Sequence, residues 1–164
     1  MDLNNYSKYL LWAGDRIRSL VSELTKEEFE KELEYFSHNS IREICFHTIL
    51  AQEYCLAVVN GTYPEGFTNK VANLKKITKT ELIDAWQKSD ANLANELQKD
   101  LESEIIFTFG EEKFKVAKYD YLLQYPSHTI FHRGQLIIAL KKIGKEIVGT
   151  DYLYYLMEVT NPET

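Results

Sequence analysis

No stretch of this sequence carries the roughly 20 consecutive apolar residues that a bilayer crossing needs. The nearest, ICFHTILAQEYCLAVV, is interrupted by His47, Gln52 and Glu53, so no membrane span and no membrane partner are expected. The opening residues, MDLNNYSKYLLWAGD, lack a basic segment leading into an apolar one and a small-residue cleavage pattern. A cytoplasmic location is the expectation that follows. Basic residues are in deficit, 19 Lys and Arg against 25 Asp and Glu, for a net charge of −6. Binding to a phosphate backbone depends on clustered cations that release counterions, so no nucleic-acid partner is expected. Glycine and proline are scarce, 7 and 3 in 164 residues, which excludes fibrous and low-complexity classes. The length suits one domain spanning residues 1–164. Cys45 and Cys55 fall on one expected helix, where ten residues of rise separate them by about 15 Å, and a disulfide needs Cα atoms within about 7 Å. They read as small buried hydrophobes.

What the chain does have is helical periodicity. Tyr6, Leu10, Ala13, Ile17, Leu20 and Leu24 recur at steps of four and three, predicting a first amphipathic helix over about 3–23. Thr25 with Glu28 has capping-box spacing for a short second turn. Ser40 with Glu43 repeats it ahead of a helix over about 41–60 that Gly61 would close. Residues 62–73, TYPEGFTNKVAN, hold Pro and Gly without a period and read as a connection. Thr78 with Glu81 caps a third long helix over about 79–101. EIIFTF and KFKVAKY around Gly110 are rich in β-branched and aromatic residues and predict a small hairpin. A last long helix follows over about 120–143, either kinked at Pro126 or starting near Tyr125, with Gly144 past its end. A short helix over about 151–158 closes the chain. The fold class is therefore all-α: a four-helix bundle with a short β-hairpin before the last long helix and a short C-terminal helix.

Histidine is also scarce, four in all, and its placement is informative. His128 and His132 are four apart in SHTIFHRGQL, so on a helix both imidazoles face one point, which is metal-ligand spacing. A hydrogen-bonded or solvated pair is the alternative. His47 lies on the core stripe Ile44, His47, Ala51, Tyr54, Val58. A buried imidazole without a partner costs on the order of 1–3 kcal/mol, so it needs either a shared metal or a hydroxyl from one of the 11 tyrosines. His38, in the loop FSHNS before the Ser40 cap, competes for the third ligand position but reads as solvent-exposed. Arg133, beside a ligand, reads as a structural or interface ion pair, and Gly134 as room for another helix. Gln135, seven residues after His128, returns to nearly its face for a supporting hydrogen bond. Glu53, six residues from His47, is turned away from it and reads as a surface residue.

HTIFHRGQL together with FHTILAQEYCL resembles the DinB and YfiT-like superfamily of metal-binding four-helix bundles. The resemblance covers nearly the whole chain, from Trp12-Ala13 in the first helix to HRGQL and Gly144. It implies a metal triad of His47, His128 and His132 and a homodimer. Many members have another histidine where this chain has Gln124, and Asn where it has Ser127. Gln124 falls on the ligand face, four residues before His128, and could orient a bound water or substrate.

Three neutral imidazoles leave the charge of a divalent ion uncompensated and at least one coordination position open. The expected ion is Zn or Ni, with Fe or Mn as alternatives. Such a site activates a thiol or a water, and the superfamily includes metal-dependent enzymes that use low-molecular-weight thiols. The leading expectation is a metal-dependent thiol transferase joining such a thiol to a small electrophile, in detoxification or stress response. A hydrolase using metal-bound hydroxide and a non-enzymatic, metal-stabilised, stress-induced dimer are the alternatives. The catalytic residues themselves are left unassigned, with Gln124 and Gln135 as supporting groups.

Overall fold

The structure, a computed structural model, describes residues 3–34, 38–99 and 101–160. Within them the chain forms α1 (Leu3–Ser22), α2 (Lys26–Glu30), α3 (Ile41–Val59), α4 (Glu65–Leu74) and α5 (Lys79–Glu96). The hairpin β1 (Glu104–Phe109) and β2 (Glu112–Ala117), α6 (Lys118–Lys142) and α7 (Tyr152–Thr160) complete it. The long helices α1, α3, α5 and α6 make the four-helix bundle. Ser7 Oγ donates to Ala94 O, and Lys79 Nζ reaches Ser22 O, so α1 and α5 run antiparallel. His47 and Gln52 of α3 meet His128 and Thr129 of α6, and Arg42 near the start of α3 donates to Ile77 O just before α5. One long crossover carrying α4 therefore joins α3 to α5.

The capping pattern fixes where these helices begin. The hydroxyls of Thr25, Ser40 and Thr78 each accept the backbone N–H three residues on. Glu28 and Glu81 close full capping boxes, whereas Glu43 reaches one residue further back, its Oε2 accepting from Asn39 N at 2.7 Å. No side chain caps α6. Instead the hairpin base takes up its first N–H groups: Lys118 N donates to Ser103 O at 2.8 Å and Tyr119 N to Leu101 O at 3.3 Å.

Two expectations about the elements are corrected, and a third is decided between its alternatives. Residues 62–73 contain α4, whose N-cap is Pro64 with no side-chain bond and whose only buried side chain is Leu74, so neither a cap nor a stripe announces it. The helix expected to reach residue 101 ends at Glu96, where the backbone tightens into i→i+3 turns: Gln98 N donates to Asn95 O at 3.1 Å and Lys99 N to Glu96 O at 3.2 Å. Leu97 stays buried in the turn that follows. Finally, α6 does not start late near Tyr125: it runs from Lys118 with Pro126 buried inside it, the other of the two expected arrangements. Packing along its whole length holds it through the missing hydrogen bond.

Two apolar clusters fill the bundle. One joins Ile17, Phe29, Ile44, Ile49, Trp86 and Leu136, and the other Cys55, Leu93, Leu97, Tyr121, Leu122 and Tyr125. Both α3 and α6 contribute to each; on α6 His128 and His132 fall in sequence between the two contributions, and on α3 His47 falls between Cys45 and Ile49 of the first. The waist between the clusters is polar. Arg18 pairs with Asp90, Asp90 Oδ1 accepts from Gln52 Nε2 at 2.6 Å, and Gln52 Nε2 also reaches Thr129 Oγ1 at 3.3 Å.

Candidate metal centre

Gln52 and Thr129 tie α3 to α6 one turn beyond His47 and one residue after His128, which sets the register in which the histidines meet. His128 Nε2 lies 3.4 Å from His47 Nε2 and 3.1 Å from His132 Nε2. Ligand nitrogens about 2.0–2.1 Å from a tetrahedral ion are separated by about 3.3–3.4 Å, and by somewhat less at narrower angles. The three rings are therefore spaced as ligands of one ion.

Their chemistry fits as well. His132, 4% exposed, has its Nδ1 2.7 Å from Gln135 Oε1. An amide oxygen only accepts, so Nδ1 carries the proton and the Nε2 lone pair of the neutral ring faces the other two histidines. Burial, reinforced by the neighbouring histidines, pulls all three pKa values down, that of His47 to about 4. At neutral pH the rings are uncharged with lone pairs free to ligate. Gln135 thus supports His132, three residues before it, rather than His128.

His38 corrects its expectation. It is half-buried, stacked on His47 with ring centroids 4.2 Å apart and 5.6 Å from the ring of His132. Ligand nitrogens of His38, His47 and His132 all lie within 4.8 Å of one another. Helical periodicity could not place a loop residue, and its histidine identity was the one available signal.

A cleft of about 530 Å³ opens on His47 and His128. Tyr54, Tyr63 and Phe67 line one part of it, and Phe107, Tyr121 and Tyr125 another, with Gln124 exposed beside His128. Among the described residues, no Asp, Glu, Lys or Arg lines it. The hairpin closes over its edge, held to α3 where Tyr54 OH donates to Thr108 O at 3.1 Å. Tyr121 and Tyr125 stay protonated, since burial pushes both phenols up. Ser127 does not reach the site: its hydroxyl donates to Leu123 O of its own helix.

The family model of the DinB family matches residues 1–163. The chain belongs to the DinB family. A crystal structure at 1.70 Å of a protein described as a candidate DinB family member, from Exiguobacterium sibiricum 255-15, superposes with a TM-score of 0.62. It covers 91% of this chain and 97% of its own at 18% identity, a likeness of fold. No curated protein matches the chain. Among the described residues, no helix of this DinB chain is long and apolar enough to cross a membrane.

Two other residues depart from expectation. Glu53 is buried rather than at the surface, because α4 covers it and supplies Lys70 as its partner. Arg133, also buried, turns away from the histidines to donate to Tyr9 OH at 2.9 Å, with its guanidinium 5.3 Å over the Tyr9 ring. It serves the α1–α6 contact through a phenol, where an ion pair was expected.

Proposed function

We propose that this DinB protein is a divalent-metal-dependent transferase that joins a low-molecular-weight thiol to an uncharged, apolar electrophile, in detoxification or stress response. The observation that carries the reading is the convergence of three neutral imidazoles, Nε2 atoms 3.1 and 3.4 Å apart, at one end of an aromatic cleft. His47, His128 and His132 would hold the ion, and Zn or Ni suits an all-imidazole donor set. A divalent ion bound there keeps a thiol in its nucleophilic form at neutral pH.

The rest is work for the chain. The rings of Tyr54, Phe107 and Tyr121 would bury the electrophile and exclude water, and Gln124 offers an amide at the histidine end. With no charged lining, the cleft favours uncharged molecules, since a buried ion without a partner is costly. In the transfer a sulfur–carbon bond forms as the bond from carbon to the leaving group breaks. The leaving group departs with the electron pair, and the thiol proton passes to solvent. Exposed Phe131 and Ile138 on α6 and Leu153 and Met157 on α7 support a homodimer as part of this reading, which sedimentation would test.

The deciding assay offers zinc- or nickel-loaded protein an uncharged aromatic electrophile such as a chlorodinitrobenzene, with and without a thiol. Turnover that requires both metal and thiol is expected, along with its loss in His128→Ala. Turnover without thiol would make the protein a hydrolase. Silence across a panel of electrophiles with the metal retained would leave a metal-stabilised, non-enzymatic bundle.

A further inference from the structure

We propose that His38 is a fourth imidazole ligand of the centre, delivered by the connection between α2 and α3. The inference rests on the metal-binding part of the reading above and extends its ligand set beyond the three helical histidines.

Two triplets of rings share the His47–His132 edge. His128 stands on the cleft side, lining the cavity with His47. His38 does not line the cavity. It stacks on the His47 ring at 4.2 Å and keeps its ligand nitrogen within 4.8 Å of those of His47 and His132. Ligands sharing a tetrahedral ion are about 3.3–3.4 Å apart, so a ring movement of roughly 1.5 Å or less brings His38 into the shell. The backbone beside it is already anchored. Asn39 O accepts from Leu33 N at 2.8 Å, and Asn39 N donates to Glu43 Oε2 at 2.7 Å. His38 is thus carried by a connection pinned to the first turn of α3, on the same helix as His47.

The placement decides how a substrate would enter. With His38 behind the centre and His47, His128 and His132 around it, a tetrahedral shell is full, and a thiol arriving from the cleft would bind as a fifth ligand or in place of His38. An imidazole ligand adds no negative charge, so a fourth would tighten the site without reducing the positive charge available to an anionic ligand.

Zinc-loaded full-length protein tests this through X-ray absorption, which counts imidazoles from their multiple scattering, and through competition with a chelator for affinity. His38→Phe is the informative variant because it keeps a ring stacked on His47 and removes only the nitrogens; His38→Leu repeats the test if the phenylalanine disturbs folding by circular dichroism. The expected result is four imidazoles in the parent and three in the variant, with zinc affinity lower by at least about 10-fold, the lower end of what losing a group that merely orients a ligand costs. An unchanged count and affinity in His38→Phe would overturn the proposal. If His128→Ala then loses zinc, the three-histidine reading survives alone. A parent that holds no stoichiometric zinc, nickel or cobalt would overturn both.

Discussion

The bundle contains two buried polar clusters within a few residues of each other, and they are built on opposite plans. In the Arg18–Asp90–Gln52 waist, donor meets acceptor: a guanidinium on a carboxylate, an amide N–H on that carboxylate and on a hydroxyl. At the histidines, nitrogen meets nitrogen, with three lone-pair-bearing rings crowded to 3.1 and 3.4 Å. The first arrangement pairs its charges internally and holds helices together, leaving Gln52 Oε1 without a hydrogen-bond partner among the described residues. In the second, lone pairs face one another, which a ring N–H or an electron-poor ion between them would satisfy.

The contrast can be broken from either side. Asp90→Ala should do the most damage: it leaves the Arg18 guanidinium, 4% exposed, with the exposed Asp15 carboxylate as its remaining ion pair, and removing one member of a buried pair costs about 3–5 kcal/mol. Urea unfolding of the metal-free protein measures that loss. His128→Ala should leave metal-free stability within about 1 kcal/mol of the parent. In the parent, saturation with metal at 100 times its dissociation constant adds about 2.7 kcal/mol, and this increment should vanish in His128→Ala and on chelation. A metal-free His128→Ala as damaged as Asp90→Ala would erase the distinction.

Gln135→Ala is a finer probe. It removes the acceptor at His132 Nδ1, 2.7 Å away, and frees the ring to adopt the tautomer that cannot ligate. Metal affinity should fall by about 10–100-fold, with unfolding of the metal-free form nearly unchanged. The last probe is pH dependence. Burial, helped by His38, His132 and His128, lowers the His47 pKa from 6.5 to about 4. Between those values the unfolded chain binds the proton that the folded chain refuses. Metal-free stability should therefore be at its plateau above about 6.5 and decline as pH falls toward about 4. In His47→Phe that component of the decline should be absent.

Much of this was legible in the residues. The stripes gave the four long helices, the Thr25, Ser40 and Thr78 spacings gave three helix starts, and the four-residue step from His128 to His132 gave the shared face. What periodicity does not encode is contact made by elements without a stripe. The helix α4 buries only Leu74, so it reads as a loop, and the misreading of Glu53 follows directly, since the residue is covered by the helix that was missed. His38 escaped for a related reason: its place beside His47 depends on how the α2–α3 connection is pinned at Asn39, a matter of tertiary bonding. At Pro126 the residues left two arrangements open, and packing on both sides of α6 decides for the one in which the helix continues through the proline.

The two cysteines bear on how any of this can be measured. Cys45 and Cys55 are 1% and 0% exposed, and burial pushes both thiols well above their ordinary range. The folded protein is therefore silent toward thiol-detecting reagents. In a transferase assay followed by disappearance of free thiol, each equivalent consumed belongs to the added cosubstrate, with no background from the enzyme. The same silence makes Gly134, exposed and with nothing within 4 Å of the side chain it lacks, a ready place for a single introduced cysteine. A fluorophore attached there would sit two residues from His132 and report metal loading by quenching.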